Sequence, residues 1–288
     1  MSKIFTGLLK LRTAYDAILS IVPSPHDRYV IAKDELDQQW QAEMLPVIQR
    51  MYWHPIRAGI DDAPDDADSL RQWLRDKYDD AAFIALLIYI LQKYHIRASE
   101  LGGQYTLDEL VIRRTFRLSN MEYLQMIIDR TRELVDFDTD ISLLDTTINE
   151  LAVEVQKAKN NKDNKDPMLI LGLFIAARAP VRTTMIERYE RPWSVANAQT
   201  WTAQKNGIRY KMYDENYEGC KEACKPWHGR VIEVTGIDSK IIPQHPGCDC
   251  LWQPIRQNGQ RLGNPPVTVN VPGLEPWQQP AVPWTGGN

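Results

Sequence analysis

The chain has almost no cysteine. All four thiols among its 288 residues fall within positions 220–250, so no disulfide can staple the first 219 residues, and their fold must rest on apolar burial. Charge of one sign is also missing. The 34 Lys and Arg against 38 Asp and Glu leave a net charge of -4, which excludes a global positive field for nucleic acid or an anionic membrane. The most basic stretch, residues 157–166, interleaves Asp and Asn with its lysines and carries no aromatic platform, so it reads as a solvated linker. Long apolar runs are absent too. The longest, residues 81–91 and 168–177, fall short of the roughly 18 to 20 residues that cross a bilayer. They are expected to be buried helices of a soluble protein with no membrane partner.

Lys10, Arg12 and Asp16 interrupt any signal-peptide core, whereas Ile4, Leu8, Leu11, Tyr15 and Ile18 recur at helical spacing. The expectation is an amphipathic first helix and synthesis in a reducing cytoplasm, where clustered cysteines hold metal more readily than they pair. Neither the H-E-x-x-H pattern nor the deaminase pair H-x-E with P-C-x-x-C occurs. A catalytic zinc with its general base is therefore not expected, and the chain reads as no enzyme.

The first two thirds of the chain read as successive helices. Ser119 and Glu122 form a capping box ahead of Met121, Leu124, Ile128 and Val135 on one face. Ser142 precedes a second stripe of Leu144, Ile148, Leu151 and Val155. Asp166-Pro167 places a carboxylate cap before a proline at the first helical position, and Pro180 is expected to end that helix. Thr184 and Glu187 give another capping box, Pro192 is expected to kink or split the helix they start, Ser194 to cap the restart, and Asn206-Gly207 to stop it. After Gly207 the period changes to two, in Ile208, Tyr210 and Met212 and again in Ile232 and Val234, so short strands are expected to carry the cysteines. The acidic stretches 61–68 and 136–140 lack the glycine and distal Glu of a calcium loop. From Pro254 onward Pro, Gly, Gln and Asn dominate; with Trp277 and Trp284 as its main apolar residues, this tail is expected to lie extended on another surface.

Chemistry is concentrated in one block: Cys220 and Cys224, three residues between them, then His245, Cys248 and Cys250. Thiolates and neutral imidazole are what a tetrahedral zinc ion prefers. With His228 included, six groups compete for four positions, so a set of four thiolates and a set of three thiolates with one imidazole are both open. Paired disulfides and thiols that bind nothing are the competing readings. His228, within Trp227-His228-Gly229-Arg230, is a candidate base of a zinc-braced nuclease, as is His245.

The order of these residues resembles a known family. Gly207 to Tyr213, the C-x-x-x-C pair, Trp227-His-Gly-Arg-Val231, Pro243-Gln-His-Pro-Gly-Cys248-Asp-Cys250 and Pro254 are similar to the C-terminal signature of the phage Mu F-like head morphogenesis, or minor head protein, family. Upstream, Phe116 to Asn120 and Asp138 to Ser142 resemble that family's lead-in to paired helices. Three departures stand out: the first cysteine pair has three intervening residues where two are usual, Asp249 stands where Arg is common, and the T-E motif is blurred among Thr184, Glu187, Glu190 and Asn197.

The resemblance implies a low-copy virion protein at the portal vertex or capsid interior, with portal, major capsid or scaffolding protein as partner and packaged DNA nearby. The expected architecture is mainly α, with a helical region at 1–109, a head-morphogenesis region at 110–254 ending in a small α+β module stapled by the Cys/His cluster, and an extended tail at 255–288. The alternatives from other classes are a zinc-braced nuclease and a DNA-contacting internal head protein.

Overall fold

Each helix begins where a side chain can satisfy the first free backbone amides. The computed structural model describes residues 23–78, 81–161, 166–214, 224–229, 231–234, 242 and 248–255. Helix α1 (Pro25–Trp53) starts from a reciprocal box in which Ser24 Oγ accepts from the Asp27 amide and the Asp27 carboxylate accepts from the Ser24 amide, with Pro25 at the first position. Asp66 caps α2 (Ala67–Asp76) by accepting from Ser69 N at 2.8 Å, which gives the acidic 61–68 stretch its structural use. Helix α3 spans Ala81–Glu109.

Helix α4 (Met121–Val135) is capped by Asn120, one residue after the expected Ser119. That shift goes with a rotation of the buried face. Tyr123, Ile127, Thr131 and Leu134 are inside, while Met121, expected in the core, is 75% exposed. The next two helices start where expected. Ser142 caps α5 (Leu143–Lys159), which buries Leu144, Ile148, Leu151 and Val155, and Asp166 caps α6 (Pro167–Lys205).

Helix α6 departs most from expectation. Pro180 does not end it, Pro192 does not split it, and Thr184 and Ser194 are interior residues and not caps. Proline in a helix interior costs about 3 kcal/mol, and here burial on several sides outweighs that cost. α6 packs along both α1 and α3, and α5 and β3 add to its surround. From Ser194 to Ala203 only Trp201 is not buried. The helix stops at Asn206, where Gly207 takes the left-handed conformation (φ 74°).

One apolar cluster runs from Tyr29 through α2, α3, α5 and α6 to Leu251, so residues on both sides of position 110 share a core. The apolar runs at 81–91 and 168–177 lie in helices of 29 and 39 residues that, by length and composition alone, are sufficient to cross a membrane; the short runs therefore do not carry the exclusion drawn from them. Residues 1–22, with the expected first helix, lie outside the described residues.

Small residues set how closely α3 and α6 approach. A Cβ added at Gly102 would stand 2.4 Å from the Val195 carbonyl oxygen and 2.8 Å from its Cα, and one at Gly103 would strike the Phe116 ring at 2.6 Å. The first obstacle is backbone and cannot swing away. Gly102→Ala is therefore expected to destabilise the protein by about 3 kcal/mol, the upper part of the overpacking range, despite alanine's better helix propensity. Urea unfolding reads this directly, and an unchanged midpoint would show that the two helices separate freely.

After Gly207 the chain forms a three-stranded antiparallel sheet in the order β2-β1-β3, from β1 (Tyr210–Asp214), β2 (Val231–Glu233) and β3 (Leu251–Ile255). The register pairs Met212 with Val231 on one side, and Tyr213 with Trp252 on the other. The protein is thus mainly α with a small C-terminal α+β module.

Candidate metal centre

The sheet brings cysteines distant in sequence to one point. Cys224 directly precedes a short 3-10 turn (Lys225–Trp227) that returns the chain from β1 toward β2, and Cys250 immediately precedes β3. Gly229, with φ 74°, completes the return by donating its amide to the Tyr213 carbonyl at 2.9 Å. The sulfur atoms of Cys224, Cys248 and Cys250 lie within 4.8 Å of one another, and all three residues are buried. Cys220, His245 and Pro246 lie outside the described residues, as do Trp277 and Trp284.

The geometry suits a tetrahedral ion. Sulfurs at about 2.3 Å from a zinc ion stand about 3.8 Å apart along a tetrahedron edge, and Cys224 Sγ and Cys248 Sγ are 3.8 Å apart. That separation is well beyond the ~2.05 Å of a disulfide bond, so these two sulfurs are not joined to each other. Three close buried cysteines can hold a metal ion.

Their surroundings favour a closed site. Tyr213, Ile242 and Trp252 pack around the sulfurs, with Trp227 and Ile232 against them. Burial, with Cys248 adding to it, pushes the Cys224 thiol above its ordinary range, so a metal ion is what would favour the thiolate there. Burial likewise keeps the proton on Tyr213, whose hydroxyl lies 3.7 Å from Cys248 Sγ and can donate to it.

The module is fastened to α6 by side chains that periodicity did not single out. Gln199 Oε1 accepts from the Trp252 amide at 3.0 Å, and Gln204 Nε2 donates to the Val234 carbonyl. Lys211 is fully buried; its ammonium donates to Thr200 Oγ1 at 2.8 Å and lies 3.9 Å from the centre of the Trp252 ring. Gln253 Nε2 donates to Tyr105 Oη on α3. His228, a candidate nuclease base, is placed with Nδ1 3.9 Å from Asp214 Oδ1, at the end of β1.

A second polar cluster joins the cysteine segment to the helical body. Asp249, between two of the cysteines, meets Arg191 at 2.7 Å, and Arg191 also pairs with Asp37 at 3.1 Å and Glu187 at 3.3 Å. Lys33 closes on Asp37 at 3.2 Å. Burial opposes the charge on Arg191, yet Tyr29, Asp249 and Asp37 hold it above its ordinary value. Burial and then the like charge of Asp37 push Glu187 up to about 7.

One helical turn further round α6, Glu190 is gripped by Arg130 through two hydrogen bonds of 3.0 and 2.8 Å. Burial pulls the neighbouring His95 down to about 4, and its Nδ1 lies 2.7 Å from Ser194 Oγ. The one available signal for these groups was Glu187, Glu190, Arg191, Ser194 and Asn197 at helical spacing. Placing a proline break among them hid it.

Compared with models of known protein families, with curated proteins and with solved structures, the chain matches none.

Proposed function

We propose that this chain is an architectural component of a tailed-phage head, of the kind its resemblance to Mu F-like minor head proteins implies, and that its C-terminal module is stapled by a structural zinc ion. The observation carrying this reading is the convergence of Cys224, Cys248 and Cys250, all within 4.8 Å and enclosed by Tyr213, Ile242 and Trp252. Soft thiolates in a tetrahedral arrangement select zinc, and a centre walled by large side chains suits a clip better than a reaction site, which keeps a position open for substrate. Cys220 or His245 supplies the fourth ligand, giving a site of net charge -2 or -1. Asp249 serves the joint with Arg191 and is not needed as a ligand.

A chain whose sheet is clipped to a helical body offers a rigid surface, and its proline-rich end beyond Ile255 engages a partner. In this reading the partners are portal, major capsid or scaffolding protein, with packaged DNA nearby, and the protein resides in the virion without enzymatic activity. Two measurements test the two halves of the reading. Metal analysis of the purified, reduced chain is expected to give one zinc per molecule, and a value far below one removes the zinc staple. Cross-linking mass spectrometry on heads assembled with the full chain is expected to tie it to portal or capsid protein; heads that form normally without incorporating it remove the virion role.

A further inference from the structure

Arg182 is a buried cation that is only loosely paired. It is 8% exposed, and among the described residues its Nε has no acceptor and its carboxylate neighbour, Glu150 Oε1, lies 3.9 Å away. Glu150 is already committed, because Arg178 takes both of its oxygens and Tyr52 donates to one of them. A guanidinium offers five donors, and leaving even one of them unmet in a protein interior, as Nε is here, is costly. Burial accordingly pushes Arg182 below its ordinary value.

Arg182 lines a cleft of about 330 Å³ formed where α6 passes the end of α4 and the start of α5. The floor is one stripe of α6, Arg182, Met185, Ile186, Tyr189 and Glu190, at helical spacing; Leu134, Ile141 and Leu143 form the walls. The volume is that of a small-ligand pocket. Its rim exposes apolar side chains that a soluble surface usually covers, since Ile141, Met185 and Tyr189 are each more than a third exposed.

The charge in the cleft fixes the class of ligand. Arg130 is met by Glu190 and, at 3.6 Å, by Glu133, while Arg182 shares Glu150 with Arg178, two cations to one carboxylate. One positive charge remains, at the Arg182 end, with Glu190 about 12 Å further along the helix. A monoanion fits that balance, whereas a phosphate dianion would overfill it.

We propose that the cleft binds a carboxylate carried on an apolar body about the size of one aromatic side chain, with Arg182 taking the carboxylate and Leu134, Leu143, Met185 and Ile186 enclosing the body. A free organic acid and the C-terminal end of a peptide share this chemistry. The site is independent of the cysteine cluster and of the virion role.

The test is titration of the full chain, followed by nuclear magnetic resonance shifts, with 3-phenylpropionate, its amide, acetate and inorganic phosphate. The acid is expected to bind about tenfold to a hundredfold more tightly than its amide, the factor a charge-assisted hydrogen bond supplies, and more tightly than acetate, which lacks the body. Arg182→Met is expected to abolish the preference for acid over amide. Met185→Trp, which fills the cleft from its exposed rim and leaves Arg182 in place, is expected to abolish binding and serves where the Arg182 variant does not fold. Gly-Gly-Phe with a free or amidated end separates the sources: tighter binding of the free-ended peptide than of 3-phenylpropionate assigns the site to a chain terminus, and the reverse assigns it to a small acid. Equal binding of acid and amide, tighter binding of phosphate, or no shift at the cleft with any carboxylate would overturn the proposal.

Discussion

Replacing Cys248 with serine in the full chain is expected to abolish stoichiometric metal binding and to open the three-stranded sheet while the helical body stays folded. The magnitudes decide which part gives way. A structural zinc contributes about 10 to 16 kcal/mol of apparent binding energy to small metal-folded domains near neutral pH. Among the remaining ties between the module and the helices, beside the Arg191–Asp249 ion pair and the packing of Leu251 into the main core, are the hydrogen bonds that Gln199, Gln204, Lys211 and Gln253 make. At about 0.5 to 1.5 kcal/mol net for each such bond, the four amount to a few kcal/mol. Three strands of three to five residues add little independent stability.

Amide exchange should therefore accelerate at least about a hundredfold in β1 and β3 of the variant, with α1 and α3 unchanged. Cys224→Ser should behave the same way, because its sulfur belongs to the same proposed site. A chelator should reproduce the effect in the unaltered chain and reductant alone should not; the opposite pattern would mean a disulfide is the staple. Full protection in both serine variants would make the cluster incidental to the fold.

The local signals legible in the sequence were those whose physics is complete within a few residues. Ser142 and Asp166 cap the helices they were expected to cap, Gly207 takes the left-handed stop, and the change of period after it marks the start of a sheet. Three of the five expected metal ligands converge, and the other two lie outside the described residues. What was not legible depends on partners far along the chain. Pro180 and Pro192 carry a strong local instruction to stop, and only the packing of α6 among α1, α3 and α5 overrides it.

The inward face of α4 was misjudged for a related reason. Tyr123 turns inward because its hydroxyl lies 3.1 Å from Ser99 Oγ on α3 and donates to the Ser194 carbonyl on α6, and hydrophobic spacing contains nothing about either partner. The closeness of α3 and α6 at Gly102 is likewise visible only once Val195 is seen opposite. The buried charges on α6 escaped altogether, since a helix assumed to break at Pro192 has no reason to keep Glu187, Glu190 and Arg191 on one continuous surface.

Those charges give the second large effect. Arg191→Met removes the cation that Asp37, Glu187 and Asp249 share and leaves Lys33 as their nearest positive neighbour, 3.2 Å from Asp37 and 3.9 Å from Asp249. Breaking a buried pair from one side costs about 3 to 5 kcal/mol, because the orphaned charge stays desolvated, and for a chain of this size that lowers Tm by roughly 10 °C. The loss should depend on pH. Glu187 is raised from an ordinary 4.5 to about 7 in the folded protein, so the folded state binds the extra proton. The stability from that proton is fully present below about 4.5 and is lost as pH rises through about 7. Around the carboxyl stand Lys33, Asp37 and Tyr29 on α1, Tyr94 on α3, Arg191 on α6 and Asp249 beside the sheet, and burial raises the Asp37 carboxyl as well.

Glu187→Gln should therefore flatten the decline in stability across that window relative to the unaltered chain, both measured by urea unfolding with zinc in excess so that metal binding cancels in the difference. Arg191→Met should recover part of its loss at pH 5, where protonated Glu187 no longer needs the cation. A midpoint for Arg191→Met within about 1 kcal/mol of the unaltered chain, or the same pH slope with and without the Glu187 carboxyl, would show that the joint between the cysteine segment and the helices is held by packing and not by this shared charge.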